Sequence, residues 1–373
     1  MFPSSKGRVS RQAHVDIPEG TYEEEHGRQG FLGRSSMLYH LNLPTGWTRV
    51  EGPLRPRMFA GARSEPPDLK DPDAGPLKIL ENDDTEILIS RRRRAMPYLF
   101  RNADGDEVYF VHRGSGVCET DYGPLNFEPG DYLHFPKGVS YQLLPKTEDN
   151  FFLIVRSLHE LSWPDRGLMG KHAFIDPMMI ESPEPMAHNE TQGEWELRVL
   201  RRGQTTSFFY PHHPFDVVGW QGDLSPIRFN VRDLRPVVSA RYHMPPTVHA
   251  TLFSDTCAIC TFAPRPLESD PACDKVPFYH RNVDWDEFIF YHSGEFFSRG
   301  GIEPGSMTLH PQGIHHGPQP NARNAARGKT ETGEVAVMVE TWNPLRVCEE
   351  ALAIELPEYV TSWARQARIA RQA

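Results

Sequence analysis

Short runs of apolar residues, rich in β-branched and aromatic side chains, dominate the middle and the C-terminal half of the chain. Turns that contain Pro-Gly, Gly or Asn-Asp separate these runs, and many of them alternate apolar and polar positions as β-strands do. Short strands spaced in this way predict an antiparallel barrel or sandwich. The runs occupy residues 107–113, 132–138, 150–158, 227–234, 287–294, 306–313 and 334–342.

Helical spacing is concentrated at the end of the chain. Residues 347–354 and 357–373 are predicted to form short helices that pack on the barrel or contact another subunit. Residues 1–60, rich in Pro, Gly, Arg and Glu, are predicted to form an arm that lies over another part of the protein. The predicted fold class is therefore all-β dominated, with an N-terminal arm and short C-terminal helices.

The composition excludes several classes of function. The 373 residues include 40 Lys and Arg against 50 Asp and Glu, so a net charge of −10 provides no positive field that would attract DNA or RNA. No apolar run reaches the roughly 18 residues that a membrane-spanning helix needs. The first residues contain no apolar core typical of a secretory signal, and five cysteines agree with reduced thiols. We therefore expect a cytoplasmic protein without nucleic-acid or membrane partners.

The chain contains an internal repeat. The segment FRNADGDEVYFVHRGSG is similar to YHRNVDWDEFIFYHSGE, and in each copy six residues separate the glutamate, Glu107 or Glu287, from the next glycine. Both segments are followed by a Pro-Gly pair, at 129–130 and at 304–305, and then by a P-x-G triplet, at 136–138 and at 311–313. The two pairs are separated by the same number of residues as the two triplets. Such self-similarity predicts a duplicated β-unit.

The repeated pattern resembles the two motifs of the cupin superfamily, in which a small β-barrel holds one metal between His and Glu ligands. The resemblance implies His280, Glu287 and His316 as ligands in the second unit. A hairpin through the turn NVDWD would bring His280 and Glu287 together. We therefore predict a duplicated cupin, that is, two double-stranded β-helix or jelly-roll barrels.

The first unit keeps at most one of the three ligands and is expected to have lost its metal. Its matching residues are Phe100, Glu107 and Tyr141. The predicted organisation is an N-terminal arm (1–60), a degenerate N-terminal cupin barrel (61–160), a connecting segment (161–215), a metal-binding C-terminal cupin barrel (216–345) and a C-terminal helical tail (346–373).

Two histidines and one carboxylate with open positions are the ligand set of non-haem Fe(II) oxygenases, so Fe(II) is the predicted cofactor. Zinc and manganese accept similar ligands and stay open as alternatives. The other interpretation is that His280 and His316 are hydrogen-bonded histidines at the end of a sheet. All three ligand types occur together in the second unit, and the first unit lacks the two histidines. This difference between the two units favours the metal site.

A narrower resemblance is found in four segments that occur in order, HPFDVVGWQGDLSPIRFNVRDLRPV, RYHMPPTVHATLF, VPFYHRNVDWDEF and LHPQGIHHGPQP. They resemble the homogentisate 1,2-dioxygenase family, mainly over residues 205–350. The resemblance implies a ring-cleaving Fe(II) dioxygenase of tyrosine and phenylalanine breakdown, which acts on a small aromatic substrate and O2. It also implies a homo-oligomer, either a trimer or a hexamer.

The same resemblance implies roles for residues around the metal. His243 matches a histidine that acts as acid or base on a substrate hydroxyl, and His310 would line the pocket or orient a ligand. Arg281 would meet a substrate carboxylate and Asn282 a hydroxyl. His315 is expected to point away from the metal, because side chains alternate along a strand.

Phe296 departs from the family pattern, which has at this place a tyrosine associated with the substrate's carboxylate. A phenyl ring cannot donate that hydrogen bond. Either Tyr291, Arg281 or a residue of the arm replaces it, or the substrate is a related ring such as hydroquinone, gentisate or a substituted homogentisate. A cupin isomerase, lyase or hydrolase with another metal, and a binding or storage protein, are the remaining function classes.

Three other motifs have simpler interpretations. Cys257 and Cys260 have the spacing of a redox or zinc pair but lie in an apolar strand-like run, which favours buried packing. The arginine run 91–94 could attract an anion, although a solvated edge or a salt-bridge patch is the more usual role. The pair His212 and His213 resembles a metal pair only superficially.

Overall fold

The protein is represented by a computed structural model that describes residues 3–275, 278–296 and 298–364. Short strands make up most of the regular structure, because β-branched and aromatic side chains pack well on a pleated surface. The strands are β1 (Tyr22–Gly27), β2 (Ser35–His40), β3 (Arg57–Ala60), β4 (Leu77–Glu81), β5 (Thr85–Ser90), β6 (Leu99–Asn102), β7 (Asp106–Arg113), β8 (Gly116–Thr120), β9 (Leu125–Phe127), β10 (Asp131–Phe135), β11 (Ser140–Pro145), β12 (Phe151–Ser157), β13 (Phe174–Ile175), β14 (Trp195–Arg201), β15 (Gln204–Tyr210), β16 (Ile227–Asn230), β17 (Leu234–Arg235), β18 (Ala250–Phe253), β19 (Cys257–Phe262), β20 (Arg265–Pro266), β21 (Tyr279–Asn282), β22 (Asp286–Ser293), β23 (Ser306–His310), β24 (Glu331–Thr332), β25 (Val335–Thr341) and β26 (Arg346–Val347).

Helices are short and lie between strands or after the last one. The α-helix α1 (Pro320–Ala326) begins at a proline, whose fixed backbone angle suits the first helical position. The 3₁₀ helices are Gly61–Arg63, Pro67–Leu69, Gly167–Met169, Pro177–Met179, Val231–Asp233, Pro246–His249, Glu349–Ile354 and Pro357–Thr361. The last two fall in the predicted helical tail, while residues 365–373 of that prediction lie outside the described residues. In the described part of the chain, no helix is long and apolar enough to cross a membrane.

Two barrels are built from the two copies of the repeat. Among the described residues, the first combines a seven-stranded sheet in the order β16-β10-β7-β12-β5-β4-β26 with a six-stranded sheet in the order β15-β14-β6-β11-β8-β9. The second contains a six-stranded sheet in the order β18-β19-β25-β22-β23-β3 and a three-stranded sheet in the order β2-β1-β21. The predicted all-β, duplicated cupin fold is confirmed.

Strands β7 and β22 are the centre of each copy and are buried on both faces. Because side chains alternate along a strand, one set on β22 points into the second barrel and includes Ile289 and Tyr291. The other set, with Phe288 and Phe290, joins a core cluster that both barrels share. This double burial explains why the two strands read as nearly continuous apolar runs, and it places Glu287 inside its barrel.

Several strand pairings cross the predicted domain boundaries, which themselves stay a prediction. Strand β3, from the predicted arm, pairs with β23 of the second barrel. Strand β16, from the predicted second barrel, pairs with β10 of the first, and β26 pairs with β4. These exchanges tie the two barrels together.

The arm lies directly beside the candidate metal ligands. Strand β1 runs parallel to β21, with Glu25 in register with His280. Three consecutive glutamates of β1 are buried, and Glu24 is 2.6 Å from Nδ1 of His315 and 2.7 Å from Nε2 of His40. Buried carboxylates need such partners, so these contacts fix the arm against the second barrel. His315 therefore contacts the arm.

Candidate metal centre

Two strands and an isolated β-bridge bring the predicted ligands together. Glu287 lies on β22 and His280 on β21, and the backbones of His280 and His316 exchange two hydrogen bonds of 2.9 Å. Nε2 of His280 is 3.7 Å and Nε2 of His316 is 3.6 Å from Oε2 of Glu287. All three side chains are buried and their ligand atoms lie within 4.8 Å of one another. The two sheets of the second barrel thus bring residues 280, 287 and 316 together, although they lie apart in the sequence.

The hydrogen bonds of the two imidazoles leave their inner nitrogens free. Nδ1 of His280 donates to the carbonyl of Phe278 over 3.0 Å, and Nδ1 of His316 is 3.3 Å from the carbonyl of Ile314. Nε2 of both rings is buried without a hydrogen-bond partner among the described residues. A nitrogen whose proton sits on the other side of the ring offers a lone pair, which is what a metal ion requires.

The charges also fit a metal ion. Burial alone would raise the pKa of Glu287, but His316, His280 and His310 bring it well below its usual range, so the carboxylate is ionised. Burial, followed by the nearby His280, lowers the pKa of His316 to about 4, so its ring is neutral. An ionised carboxylate and neutral imidazoles are the protonation states of metal ligands.

His310 forms a hydrogen bond with Oε1 of Glu287, the carboxylate oxygen that is not directed at the two histidines. Its Nδ1 lies 2.7 Å from Oε1 of Glu287 and its Nε2 lies 2.9 Å from the hydroxyl of Tyr359. Burial lowers the pKa of His310 to about 3, so the ring carries a single proton. Because the carboxylate can only accept, Nδ1 donates to Glu287 and Nε2 accepts from Tyr359. His310 thus orients Glu287 and leaves Oε2 facing the two histidines.

A cavity opens onto this cluster. Its walls combine apolar rings from the arm and the barrel with a few polar groups, the composition usual for a small-molecule pocket. The lining residues are Phe31, His243, Pro246, Phe262, Phe278, His280, Glu287, Ile289, Tyr291, Ser298, Arg299, Gly317, Glu334 and Ala336.

His243 lies on the cavity wall together with a buried carboxylate. Its Nδ1 is 2.9 Å from Oε1 of Glu268, and both side chains are at most 7% exposed. Burial would raise the pKa of Glu268, but its contact with His243 outweighs this and lowers the pKa. The ionised Glu268 lies beside Nδ1, so Nε2 is the atom of His243 that is left for a ligand.

Arg281 and Asn282 are absent from the cavity lining in the described part of the chain. Nε of Arg281 is 3.5 Å from Oε1 of Glu24 on the arm. Oδ1 of Asn282 accepts hydrogen bonds from the backbone of residues 284 and 285, and Asn102 makes the same bonds to residues 104 and 105 in the first barrel.

The positions of Arg281 and Asn282 outside the cavity lining differ from the predicted substrate contacts. A feature of the sequence indicates this difference. The first barrel also has an Arg-Asn pair in FRN, although it lacks the two histidine ligands. In both copies the asparagine of this pair stabilises the turn that follows it. The roles predicted for Arg281 and Asn282 at the substrate therefore have no support from their contacts.

Tyr291, Phe296 and Arg299 form one group at the cavity. The hydroxyl of Tyr291 accepts a hydrogen bond from Nη1 of Arg299 over 2.9 Å. The ring of Phe296 packs edge-on against Tyr291 at 5.0 Å between centroids and supports it from the side. Arg299 was not among the predicted site residues, since its only sequence signal is its position five residues after Gly294.

The first barrel has replaced the metal centre by an ion pair. Glu107 accepts a hydrogen bond from Nε of Arg156 over 2.5 Å and another from the hydroxyl of Tyr141 over 2.9 Å. The guanidinium of Arg156 lies over the ring of Phe100. These side chains fill the positions that His280 and His316 take in the second barrel.

A second group of ligand-type residues, Glu119, His188 and His213, lies in the first unit. Nε2 of His188 is 3.3 Å from Glu119, and the rings of His188 and His213 stack at 4.1 Å. Nδ1 of His213 accepts a hydrogen bond from the backbone of Phe215 over 3.1 Å. That bond engages a ring nitrogen, and the group is only partly buried, so it fits a metal less well than His280, Glu287 and His316 do.

The cysteine pair and the arginine run noted in the sequence both make contacts within the fold. Cys257 and Cys260 are buried on β19 with their thiol pKa values raised by burial. In the arginine run, Arg91 and Arg92 donate to backbone carbonyls of residues 62, 64, 72 and 74. Both motifs therefore stabilise the fold.

Comparison with known proteins identifies relatives over most of the chain. Residues 80–231 match the family model "Homogentisate 1,2-dioxygenase N-terminal", and residues 241–368 match "Homogentisate 1,2-dioxygenase C-terminal". A protein of Saccharolobus solfataricus that carries the provisional name of a dioxygenase is 34% identical, over 97% of this chain and 99% of its own length.

Proteins named homogentisate 1,2-dioxygenase are more distant. Those of Bradyrhizobium diazoefficiens and Nitrobacter hamburgensis are each 28% identical, over 68% and 71% of this chain. The matches span 59% and 62% of those relatives' own length. Among solved structures, a cupin 2 conserved barrel domain protein of Leptotrichia buccalis is similar with a TM-score of 0.34 and 9% identity, over 72% of this chain and 88% of its own. A mutant of the oxalate decarboxylase of Bacillus subtilis is similar with a TM-score of 0.35 and 13% identity, over 83% of this chain and 84% of its own.

Proposed function

Because the chain belongs to the homogentisate 1,2-dioxygenase family, we propose that it is an Fe(II)-dependent dioxygenase that opens the ring of homogentisate. The product is maleylacetoacetate, and both atoms of O2 enter it, so the reaction needs no external reductant. A homo-oligomeric state, either a trimer or a hexamer, remains a proposal from the family resemblance, and a cytoplasmic location remains a proposal as well.

One observation carries this proposal. The buried Nε2 atoms of His280 and His316 lack partners among the described residues and, with Oε2 of Glu287, surround one point at the end of the cavity. Two imidazoles and one carboxylate form the facial ligand set of non-haem iron oxygenases, which leaves positions open for substrate and O2. Bound Fe(II) would supply the Lewis acidity and the redox chemistry that the side chains lack.

The protein's own groups would position the ring and move protons. Phe31, Phe278 and Ile289 line the cavity and offer apolar walls for an aromatic ring. His243, held at Nδ1 by Glu268, would accept a proton from a substrate hydroxyl at Nε2 and return it to the product. The apolar walls would also keep bulk water from the reacting ring.

The test is oxygen uptake by protein loaded anaerobically with Fe(II), with homogentisate, gentisate and hydroquinone as substrates. Stoichiometric uptake with homogentisate, together with the enone absorbance of a ring-opened product, would support the proposal. Uptake only with another ring would keep the chemistry and change the substrate, an outcome that the apolar Phe296 makes a real alternative. If the iron-loaded protein consumes no oxygen with any of them, the dioxygenase proposal is wrong.

A further inference from the structure

Arg299 is a buried cation at the wall of the cavity. Its side chain is 6% exposed and lines the same cavity as His280 and Glu287. A buried guanidinium is costly unless hydrogen bonds and opposite charge compensate it. The residues around Arg299 therefore show whether its charge and its N–H groups have enough partners within the protein.

The contacts of Arg299 leave part of its guanidinium unmatched. Nη1 donates to the neutral hydroxyl of Tyr291, and Nε is buried without an acceptor in the described part of the chain. Nη2 is 4.0 Å from Oε1 of Glu287, and that oxygen already accepts from His310 at 2.7 Å.

The other buried carboxyl on the cavity wall already has a cationic partner. Glu334 lies 3.4 Å from Nη2 of Arg265. If a divalent metal joins Glu287, the negative charge of Glu287 is shared with the metal as well. The positive charge of Arg299 is then left without a full partner, at the edge of a cavity that is otherwise mostly apolar.

We propose that Arg299 binds the carboxylate of an aromatic acid substrate, while Tyr291 holds the guanidinium in place. A guanidinium offers parallel N–H groups that match a carboxylate. Phe296 then supports Tyr291 by ring packing and needs no polar group of its own. This inference rests on the proposed function and assigns the substrate an acidic side chain, which excludes hydroquinone as the natural ring.

The experiment compares homogentisate with its methyl ester, which has the same ring and no charge. Their dissociation constants are measured by calorimetry on anaerobic Fe(II)-loaded protein, and kcat and KM are measured in air. We expect Arg299→Gln to weaken binding of the acid by about 10- to 100-fold, the effect of losing a charged hydrogen bond. Binding of the ester should change by less than about threefold. KM for the acid should rise more than kcat falls.

Arg198→Gln is the matched control, since it removes a paired arginine of the first barrel. It should leave both dissociation constants unchanged. Arg299→Lys keeps the positive charge but lacks the parallel N–H groups of the guanidinium, so we expect an intermediate loss of affinity for the acid and none for the ester. This variant also serves as the test if Arg299→Gln does not fold. The inference is overturned if the variants weaken acid and ester equally, or if acid binding is unaffected.

The two proposals can fail separately. Absence of ring opening by the unaltered protein would reject the proposed function. Calorimetry with homogentisate would still support Arg299 as a carboxylate site if its replacement selectively weakened the acid, and equal binding by the Arg299 variants would reject that role. Metal content is measured on every sample, because a merely structural role of Arg299 would lower metal content rather than the preference for acid over ester.

Discussion

Arg156 donates a hydrogen bond from Nε to Oε1 of Glu107 over 2.5 Å, and the two residues lie opposite each other on β12 and β7. In the second barrel, Glu340 lies at the corresponding place opposite Glu287. Burial, and next the charge of Glu287, raise the pKa of Glu340 to about 8. A built-in cation thus balances the carboxylate of the first barrel, whereas in the second barrel Glu287 lies opposite a carboxyl group whose raised pKa favours its protonated form.

Replacing the built-in cation should destabilise the first barrel. We expect Arg156→Gln to lower the free energy of unfolding by about 3–5 kcal/mol, because it leaves Glu107 buried and unpaired. The measurement is denaturant unfolding, followed by fluorescence.

The double variant Arg156→Gln/Glu107→Gln is the control and should recover much of the loss, since it removes both charges. Equal stability of the single variant and the unaltered protein would contradict the ion-pair explanation.

Much of the fold and of the metal centre could be predicted from the sequence. The repeat, its two glutamates and the loss of histidines from one copy are visible in the residue types alone, and the predicted ligands do meet in space. The family resemblance and the duplicated cupin fold are confirmed by the matches over residues 80–231 and 241–368 and by the two barrels.

What escaped prediction depends on contacts between distant segments. Strand β1 pairs with β21, which lies more than 250 residues later in sequence, so nothing local indicates which part of the arm lies beside the metal ligands. Arg299 lies outside the motifs, and only the fold shows that it is buried beside Glu287. The arm's three glutamates look like a solvated run until their histidine and arginine partners are known.

Loss of any one ligand should reduce metal binding. His316→Ala and Glu287→Gln each remove a donor from the buried cluster, and we expect them to lose stoichiometric iron or zinc, measured by plasma mass spectrometry after dialysis. Tyr141→Phe is the matched control, because Tyr141 holds the place of His316 in the first barrel. Full metal content in the ligand variants would exclude this cluster as the metal site.

His310 should affect metal affinity without being a ligand itself. His310→Phe removes the donor to Oε1 of Glu287, and we expect about 10- to 100-fold weaker metal binding, as for other partners that orient ligands. Competition with a chelator of known affinity measures the change. Tyr359→Phe removes only the outer hydrogen bond and should have a smaller effect. An unchanged affinity in His310→Phe would show that Glu287 is fixed by other contacts.

Stability should fall at acidic pH because of a histidine pair between the barrels. His112 and His292 lie 2.9 Å apart at Nδ1, and burial lowers their pKa values to about 3 and about 4 from an ordinary 6.5. The unfolded chain therefore binds protons below pH 6.5 that the folded chain does not, so stability is full above pH 6.5 and decreases towards pH 4.

Melting temperatures between pH 7 and pH 4 test this. The variant His112→Gln/His292→Gln should show a shallower decrease, whereas His159→Gln, which changes a half-exposed histidine, should keep the original slope. Parallel curves for the double variant and the unaltered protein would assign the acid sensitivity to other groups.

His243 should act in catalysis and not in metal binding. Its Nδ1 is engaged by Glu268 at 2.9 Å, and it lines the cavity without belonging to the ligand cluster. We expect His243→Asn to lower kcat by about 10²- to 10⁴-fold with homogentisate, the usual effect of losing a general acid or base. Iron content and the dissociation constant for homogentisate should stay nearly unchanged.

The variant Glu268→Gln tests whether His243 transfers a proton in the reaction or only packs against the cavity wall. Gln cannot offer the negative charge that stabilises a protonated imidazole, so the factor by which kcat falls should depend on pH while the ring stays in place. Oxygen uptake measured from pH 5.5 to pH 9 gives that dependence. A structural role for the pair would instead lower kcat equally at every pH, and that result would remove His243 from the proton-transfer step.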